Sequence, residues 1–133
     1  MLKMIETSRD SGRGGHYSQA TRAGDFVFVS GQTPRNADRL IIGETIEEQT
    51  DATLANVKVI LEAAGGSLEN VVTVGVFLKD LADAARFDKV YARHFPDFRP
   101  ARTTVGCALN GVLIEISVTA YIPEISHMQK VGA

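Results

Sequence analysis

Two residues of opposite charge stand out in a β-rich stretch near the C-terminal end, Pro100 to Tyr121, which reads PARTTVGCALNGVLIEISVTAY. Arg102 carries a planar fork of donors that matches a carboxylate with two parallel charge-assisted hydrogen bonds. Glu115 sits inside VLIEISV, where an acid is out of keeping with its neighbours, and a carboxylate there can position or deprotonate a water. Asn110-Gly111 lies between the two β-rich runs and is the strongest short signal for a two-residue hairpin. Taken literally, that turn pairs Leu109 with Val112, Cys107 with Ile114, Val105 with Ile116 and Thr103 with Val118, an almost wholly apolar face. The other face pairs Ala108 with Leu113, Gly106 with Glu115, Thr104 with Ser117 and Arg102 with Thr119. Side chains alternate across a strand, so Arg102 and Glu115 are expected on one polar face, roughly 13 Å apart along the ladder at ~3.3 Å per residue. Small residues, Thr104, Gly106 and Ser117, would floor the space between them, about the size of a small metabolite.

Each candidate has a plainer alternative. Arg102 also reads as a surface or interface arginine paired with an acid, and Glu115 as a solvent-facing strand residue. Cys107 falls on the apolar face of this register and reads as a packed small hydrophobe, since no local feature activates its thiol. His16, His94 and His127 are scattered without metal-ligand spacing, so no metal is expected. Gly12-x-Gly14-Gly15 lacks the lysine and helix start of a phosphate loop and reads as a mobile loop. Tyr17 and Ser30 lie near strand ends and offer hydroxyl contacts.

The elements that must position these groups follow from periodicity. Leu2–Thr7 reads as a short first strand, and Ser8–Gly15 as a loop. His16–Arg22 and Phe26–Ser30 read as strands about a turn at Ala23-Gly24-Asp25, with Val27 and Val29 facing one way and Phe26, Phe28 and Ser30 the other. Gly31-Gln32-Thr33-Pro34 ends that run. Arg35–Gly43 is a loop with a possible short strand at Leu40–Ile42. Thr45-x-x-Glu48 is a capping box opening a helix over Ile46–Ala64, with Leu54, Val57, Leu61 and Ala64 at helical spacing and Gly65-Gly66 as the stop. Val71–Leu78 is apolar on both faces and so a central strand. Asp80 caps a second helix, Leu81–Phe95, with Leu81, Ala84, Phe87, Tyr91 and Phe95 inward and Pro96 ending it. A weakly patterned tail, Ile122–Ala133, closes the chain. This is an α+β arrangement in one domain, residues 1–133, with two helices on one face of a sheet. The other sheet face needs its own cover, for which another subunit is the expected source.

Composition narrows the function classes. The chain has 133 residues, 44% hydrophobic and 23% charged, with a net charge of −2. No basic excess points to nucleic acid. One cysteine precludes an internal disulfide framework and fits a reducing compartment. MLKMIETSRD has no apolar signal core and no run approaches membrane-spanning length, so a cytoplasmic protein without a membrane partner is expected.

Together the motifs resemble the RidA/YjgF family of imine deaminases. His16-Tyr17-Ser18-Gln19-Ala20 followed by Phe28-Val29-Ser30-Gly31-Gln32 is similar to that family's GPYSQA…(V/I)SGQ opening. Asn56-Val57-x-x-Ile60-Leu61-x-Ala63-Ala64-Gly65 resembles its first helix, Val76-Phe77-Leu78-Lys79-Asp80-Leu81 its central strand and second helix start, and Pro100-Ala101-Arg102-Thr103-Thr104-Val105 with Ile114-Glu115-Ile116 its PxRxxV…(V/I)EIE segment. The resemblance covers residues 16 to 121. It implies a chorismate-mutase-like fold, a homotrimer with clefts between subunits, and hydrolysis of reactive 2-imino acids to 2-oxo acids without a cofactor. It further implies that Arg102 binds the substrate carboxylate, that Glu115 holds the attacking water, that Tyr17, Ser30 and Gly31 line the cleft, and that Thr104 contributes its backbone amide. Asp88 stands where many members have asparagine and bears on pocket charge. His16 stands where proline is usual. A carboxylate-binding regulatory module using the same cleft is the alternative from a different class. A ribonuclease is a third, disfavoured by the acidic balance.

Overall fold

The computed structural model describes residues 2–8 and 13–124. Residues 9–12 of the Ser8–Gly15 loop, and the tail from 125 onward with His127, lie outside the described residues. Among the described residues, six strands form one mixed, mainly antiparallel sheet: β1 (Leu2–Ile5), β2 (Ala20–Ala23), β3 (Phe26–Gln32), β4 (Val71–Leu78), β5 (Ala101–Gly106) and β6 (Ile114–Tyr121). Their order across the sheet is β1-β2-β3-β6-β4-β5. Two helices, α1 (Ile46–Ala63) and α2 (Ala84–His94), share a core with one sheet face.

The first helix starts where its capping box demands. Glu48 N donates to Thr45 Oγ1 at 3.1 Å, and Thr45 N donates to the Glu48 carboxylate at 3.2 Å. Its buried stripe, Leu54, Val57, Ile60 and Leu61, meets Val27 and Val29 of β3 and Ile114, Ile116 and Val118 of β6 in the core, each such side chain contributing ~1.5–3 kcal/mol on burial. The second helix is preceded by a single 3₁₀ turn, Leu81–Asp83, capped by Asp80 Oδ1 accepting from Ala82 N at 2.9 Å. Phe87, Val90, Tyr91 and Phe95 face inward, but Leu81 is 56% exposed, because the 3₁₀ turn rotates it off the helical stripe. An ion pair, Arg86–Glu47 at 2.7 Å, and a hydrogen bond between His94 Nε2 and Asp51 Oδ1 at 2.8 Å tie the two helices together along their outer edge.

Several expected elements differ in length from their patterns, the first strand ending at Ile5. The His16–Arg22 run is a strand only from Ala20, since residues 14–17 turn tightly around Tyr17. The β3 strand continues through Gly31 to Gln32. Leu40–Ile42 makes only an isolated bridge, Ile41 to Arg35.

The C-terminal hairpin is absent, and this is the main correction. β5 pairs parallel with β4, and β6 pairs antiparallel with β4 on its other side. Asn110-Gly111 does turn, with Gly111 at φ +79°, but the turn lies in a connection that crosses the end of β4. Cys107 N donates to Leu78 O, and Lys79 N donates to Leu113 O, so both ends of the crossing are tied to β4. β4 is apolar on both faces, the pattern of a central strand, and a central strand has its backbone groups paired along both edges, here by β5 and β6. The register changes accordingly. Ile114 pairs with Leu78, not Cys107, and Cys107 is half-buried beyond the end of β5, outside the core.

Arg22 was silent in the sequence and is structurally costly to replace. Its side chain is buried, and its guanidinium donates to Ile122 O at 2.6 Å and to Ala64 O, at the end of α1, at 2.8 Å. Arg22→Met removes these bonds from buried carbonyls and should cost about 3 kcal/mol, read as a lower urea midpoint with an unchanged m-value.

Candidate functional site

With β4 between them, Arg102 and Glu115 are on opposite faces of the sheet. Arg102, Thr104 and Gly106 are level with Val74, Val76 and Leu78 on the helix side, whereas Glu115 is level with Phe77 on the bare side. The shared floor of Thr104, Gly106 and Ser117 therefore does not exist within one chain. Thr104 and Gly106 accompany Arg102, and Ser117 accompanies Glu115. Instead Arg102 and Glu115 each have a separate setting within the chain.

The Arg102 setting lies between the edge strand β5 and α2. The guanidinium carbon stands 4.6 Å from the Tyr91 ring centre and 5.2 Å from that of Phe87, a cation–π arrangement. Nη1 donates to Asp88 Oδ1 at 2.7 Å. The side chain is thus held flat on α2 by two rings and one carboxylate, with part of its fork unspent. Burial raises the Tyr91 phenol's pKa; the Arg102 charge opposes this and the Asp88 charge adds to it. An open cavity of about 760 Å³ adjoins, lined by Asp88, Tyr91, Phe95, Arg99 and Arg102 among others.

The Glu115 setting is built on a bulge. Val29 pairs with Val118 and Gln32 with Ile116, so Ser30 and Gly31 together face the single residue Ser117. A bulge bends its strand and re-aims neighbouring side chains. Here it brings Gly31 under the Glu115 side chain: a Cβ on Gly31 would stand 2.9 Å from the Glu115 carboxylate carbon. A side chain at position 31 would require the Glu115 side chain to move. Ser30 serves the loop rather than the cavity, its hydroxyl donating to Ser18 O at 2.7 Å. Tyr17 lines the cavity, its hydroxyl accepting from Gly14 N at 2.9 Å. The cavity, about 210 Å³, is lined by Gly14, Tyr17, Gly31, Arg35, Arg39 and Glu115, together with Gln32, Thr33 and Asn110. That is about seven waters' share of liquid volume at ~30 Å³ each.

Arg35, Arg39 and Gln32 escaped the sequence reading. A glycine within a strand pattern was the available signal for the bulge, but nothing local marked two loop arginines as converging on Glu115. They are placed by α1. Asn56 Nδ2 donates to both Thr33 O and Arg35 O at 2.9 Å, and the buried Gln49 amide bridges Gly43 O and Leu113 N, which leads into β6. Asn56→Ala should cost about 1–2 kcal/mol and release the 33–42 loop. The measurement is faster amide exchange at Asn36 and Ile42, whose N–H groups bond within that loop, with exchange at the centre of α1 much less affected.

Comparison with known proteins agrees with the fold. Residues 11–122 match the family model described as Endoribonuclease L-PSP. A RutC family protein, SSO3206 of Saccharolobus solfataricus, is 42% identical over 123 residues, which span 90% of this chain and 98% of the relative. The crystal structure of yeast Mmf1 superposes with a TM-score of 0.88 at 38% identity, covering 93% of this chain and all of that one. The structure of E. coli TdcF with bound serine superposes with a TM-score of 0.84 at 35% identity, covering 90% of this chain and 98% of that one. The chain belongs to the Endoribonuclease L-PSP family, the RidA/YjgF family that its motifs resemble.

Proposed function

We propose that the protein hydrolyses 2-imino acids, and their enamine tautomers, to 2-oxo acids and ammonia, at sites where Arg102 of one chain faces Glu115 of another. The observation that carries this reading is the separation of the two half-sites. Each is shaped for a ligand, yet a strand divides them within the chain. A second copy completes the site by bringing its Arg102 to this chain's Glu115 cavity. The bare sheet face supports such assembly, because it exposes Phe26 (43%), Phe28 (46%) and Tyr121 (46%) together, an apolar patch of the kind that marks an interface. A homotrimer, one site per interface, is the assembly we propose, and the cytoplasm its location.

The chemistry follows from the groups. A 2-imino acid has a carboxylate beside an electrophilic C=N carbon. The unspent edge of the Arg102 fork binds the carboxylate and fixes the carbon's position. Glu115 accepts a proton from water as its oxygen bonds to that carbon and the C=N π pair moves to nitrogen. The proton then passes to nitrogen to give the tetrahedral carbinolamine; Glu115 takes the carbinolamine hydroxyl proton and delivers it to the same nitrogen as the C–N bond breaks, the carbonyl forms and ammonia leaves. One water is consumed and one ammonia released, with no redox change. Tyr17 closes one wall, and the Thr104 amide on the edge strand lies beside Arg102. Asp88 takes one donor of Arg102 and so tempers its grip on the carboxylate, which favours product release. Serine bound to the TdcF relative has the same arrangement of a carboxylate and a nitrogen on one carbon. A polyanionic substrate suits neither the small Glu115 cavity nor a chain of net charge −2.

A coupled assay with 2-iminobutyrate made in situ by a threonine dehydratase tests the reading. Arg102→Lys keeps the charge but loses the fork, and should lower kcat/KM by about 100-fold. Glu115→Gln should lower kcat more than it weakens 2-oxobutyrate binding, and Thr104→Ala should be mild. Imine turnover by Arg102→Lys at the parent rate would contradict the carboxylate anchor. Sedimentation at micromolar concentration should give a trimer; a monomer would contradict the shared site.

A further inference from the structure

We infer that Arg35, with Arg39 beside it, forms a second anion-binding position in the Glu115 cavity and selects 2-imino acids bearing a second carboxylate at the far end of the side chain. The inference rests on the deaminase reading of the same site and names its substrate class. Among the described residues, the charged side chains lining this cavity are Arg35, Arg39 and Glu115. An active site built only for a monocarboxylate imine needs one cation, and Arg102 already supplies it. Arg35 is a cation beyond that one, and its orientation is built in. Arg35 donates to Thr33 Oγ1 at 2.9 Å and to Asn110 O at 2.8 Å, both neutral acceptors, and no ion pair with a carboxylate is formed by Arg35 among the described residues. Its guanidinium is thereby oriented without being neutralised, which leaves its charge for a ligand. Its backbone carbonyl is held by Asn56 from α1.

Arg39 is presented by an uncommon backbone. It has φ +65°, a left-handed conformation that costs about 1 kcal/mol or more in a residue other than glycine. The turn is wound around Asn36, whose Oδ1 accepts from Asp38 N and Leu40 N, each at 3.0 Å. The Arg39 guanidinium lies over Gly14, where a Cβ would stand 2.7 Å from Nη2. A glycine on one side and a left-handed backbone on the other bring the Arg39 side chain to the cavity wall, where it borders the Arg35 position. The cavity is short, so the second carboxylate must lie only a few bonds from the imine carbon, as in imines of acidic amino acids.

Titration calorimetry on the assembled protein tests the subsite without turnover. The probes are 2-oxoglutarate and 2-oxobutyrate, which differ by the distal carboxylate. The parent protein should bind 2-oxoglutarate about tenfold more tightly or better. Arg35→Met should bring the two affinities close together, and Arg35→Lys should leave an intermediate preference. Equal affinity of the parent for both acids would overturn the subsite even if 2-iminobutyrate is hydrolysed. So would a preference that survives Arg35→Met in folded protein. An Arg35-dependent preference in a protein that hydrolyses no imine would uphold the subsite and contradict the deaminase reading instead.

Discussion

The structure depends on the position of one strand. β4 is apolar on both faces, and the chain satisfies it by placing β6 along one side and β5 along the other. Everything else in the site follows. β5 becomes the edge of the sheet and turns Arg102 toward α2, where Tyr91 and Phe87 underlie it and Asp88 pairs with it. β6 becomes a central strand and turns Glu115 to the bare face, over the Gly31 bulge. A chain that put β5 directly against β6 would carry both residues on one polar face. This chain has a separate setting for each, and a sheet face that leaves Phe26, Phe28 and Tyr121 exposed.

The preparation of the two settings is unequal in kind. Arg102 is positioned by packing: two rings and one carboxylate restrict a long side chain before any ligand arrives, which reduces the ordering cost of binding. Glu115 is positioned by backbone: a bulge and a glycine make the room that its carboxylate occupies. The loop around it is positioned by amides of α1, Gln49 and Asn56, which bond to backbone groups of residues 33–43 and of Leu113. The helix that supplies much of the core therefore also sets the walls of the cavity. Stability and site geometry are carried by the same element.

Periodicity made both helices, the capping box, the central strand and the inward and outward faces of β3 legible in the sequence. These are local properties, and the packing overrode them only at the start of α2, where a 3₁₀ turn exposes Leu81. The partner of each strand was not legible. Asn110-Gly111 is a true turn, but a turn signal reports the path of a few residues and not which strand lies beside the next. The two-faced apolar pattern of Val71–Leu78 carried the missing information, since a central strand must separate its two neighbours. Arg102 and Glu115 stood out by residue type, and their placement on one face was wrong because it was inherited from that pairing. Arg35 and Arg39 were illegible for another reason. They reach the cavity from a loop held by Asn56 from across the fold, and no pattern within the loop records that contact.

The central claim is that Arg102 and Glu115 act across two chains, and subunit complementation tests it most directly. Arg102→Met and Glu115→Gln proteins, each inactive, are unfolded in urea, mixed in equal amounts and refolded together. If every site takes its arginine from one chain and its glutamate from the next, random assembly restores roughly one quarter of the sites, and imine hydrolysis returns to about that fraction of the parent rate. If both residues served a site within one chain, the mixture would stay as inactive as its components, and that result would contradict the account.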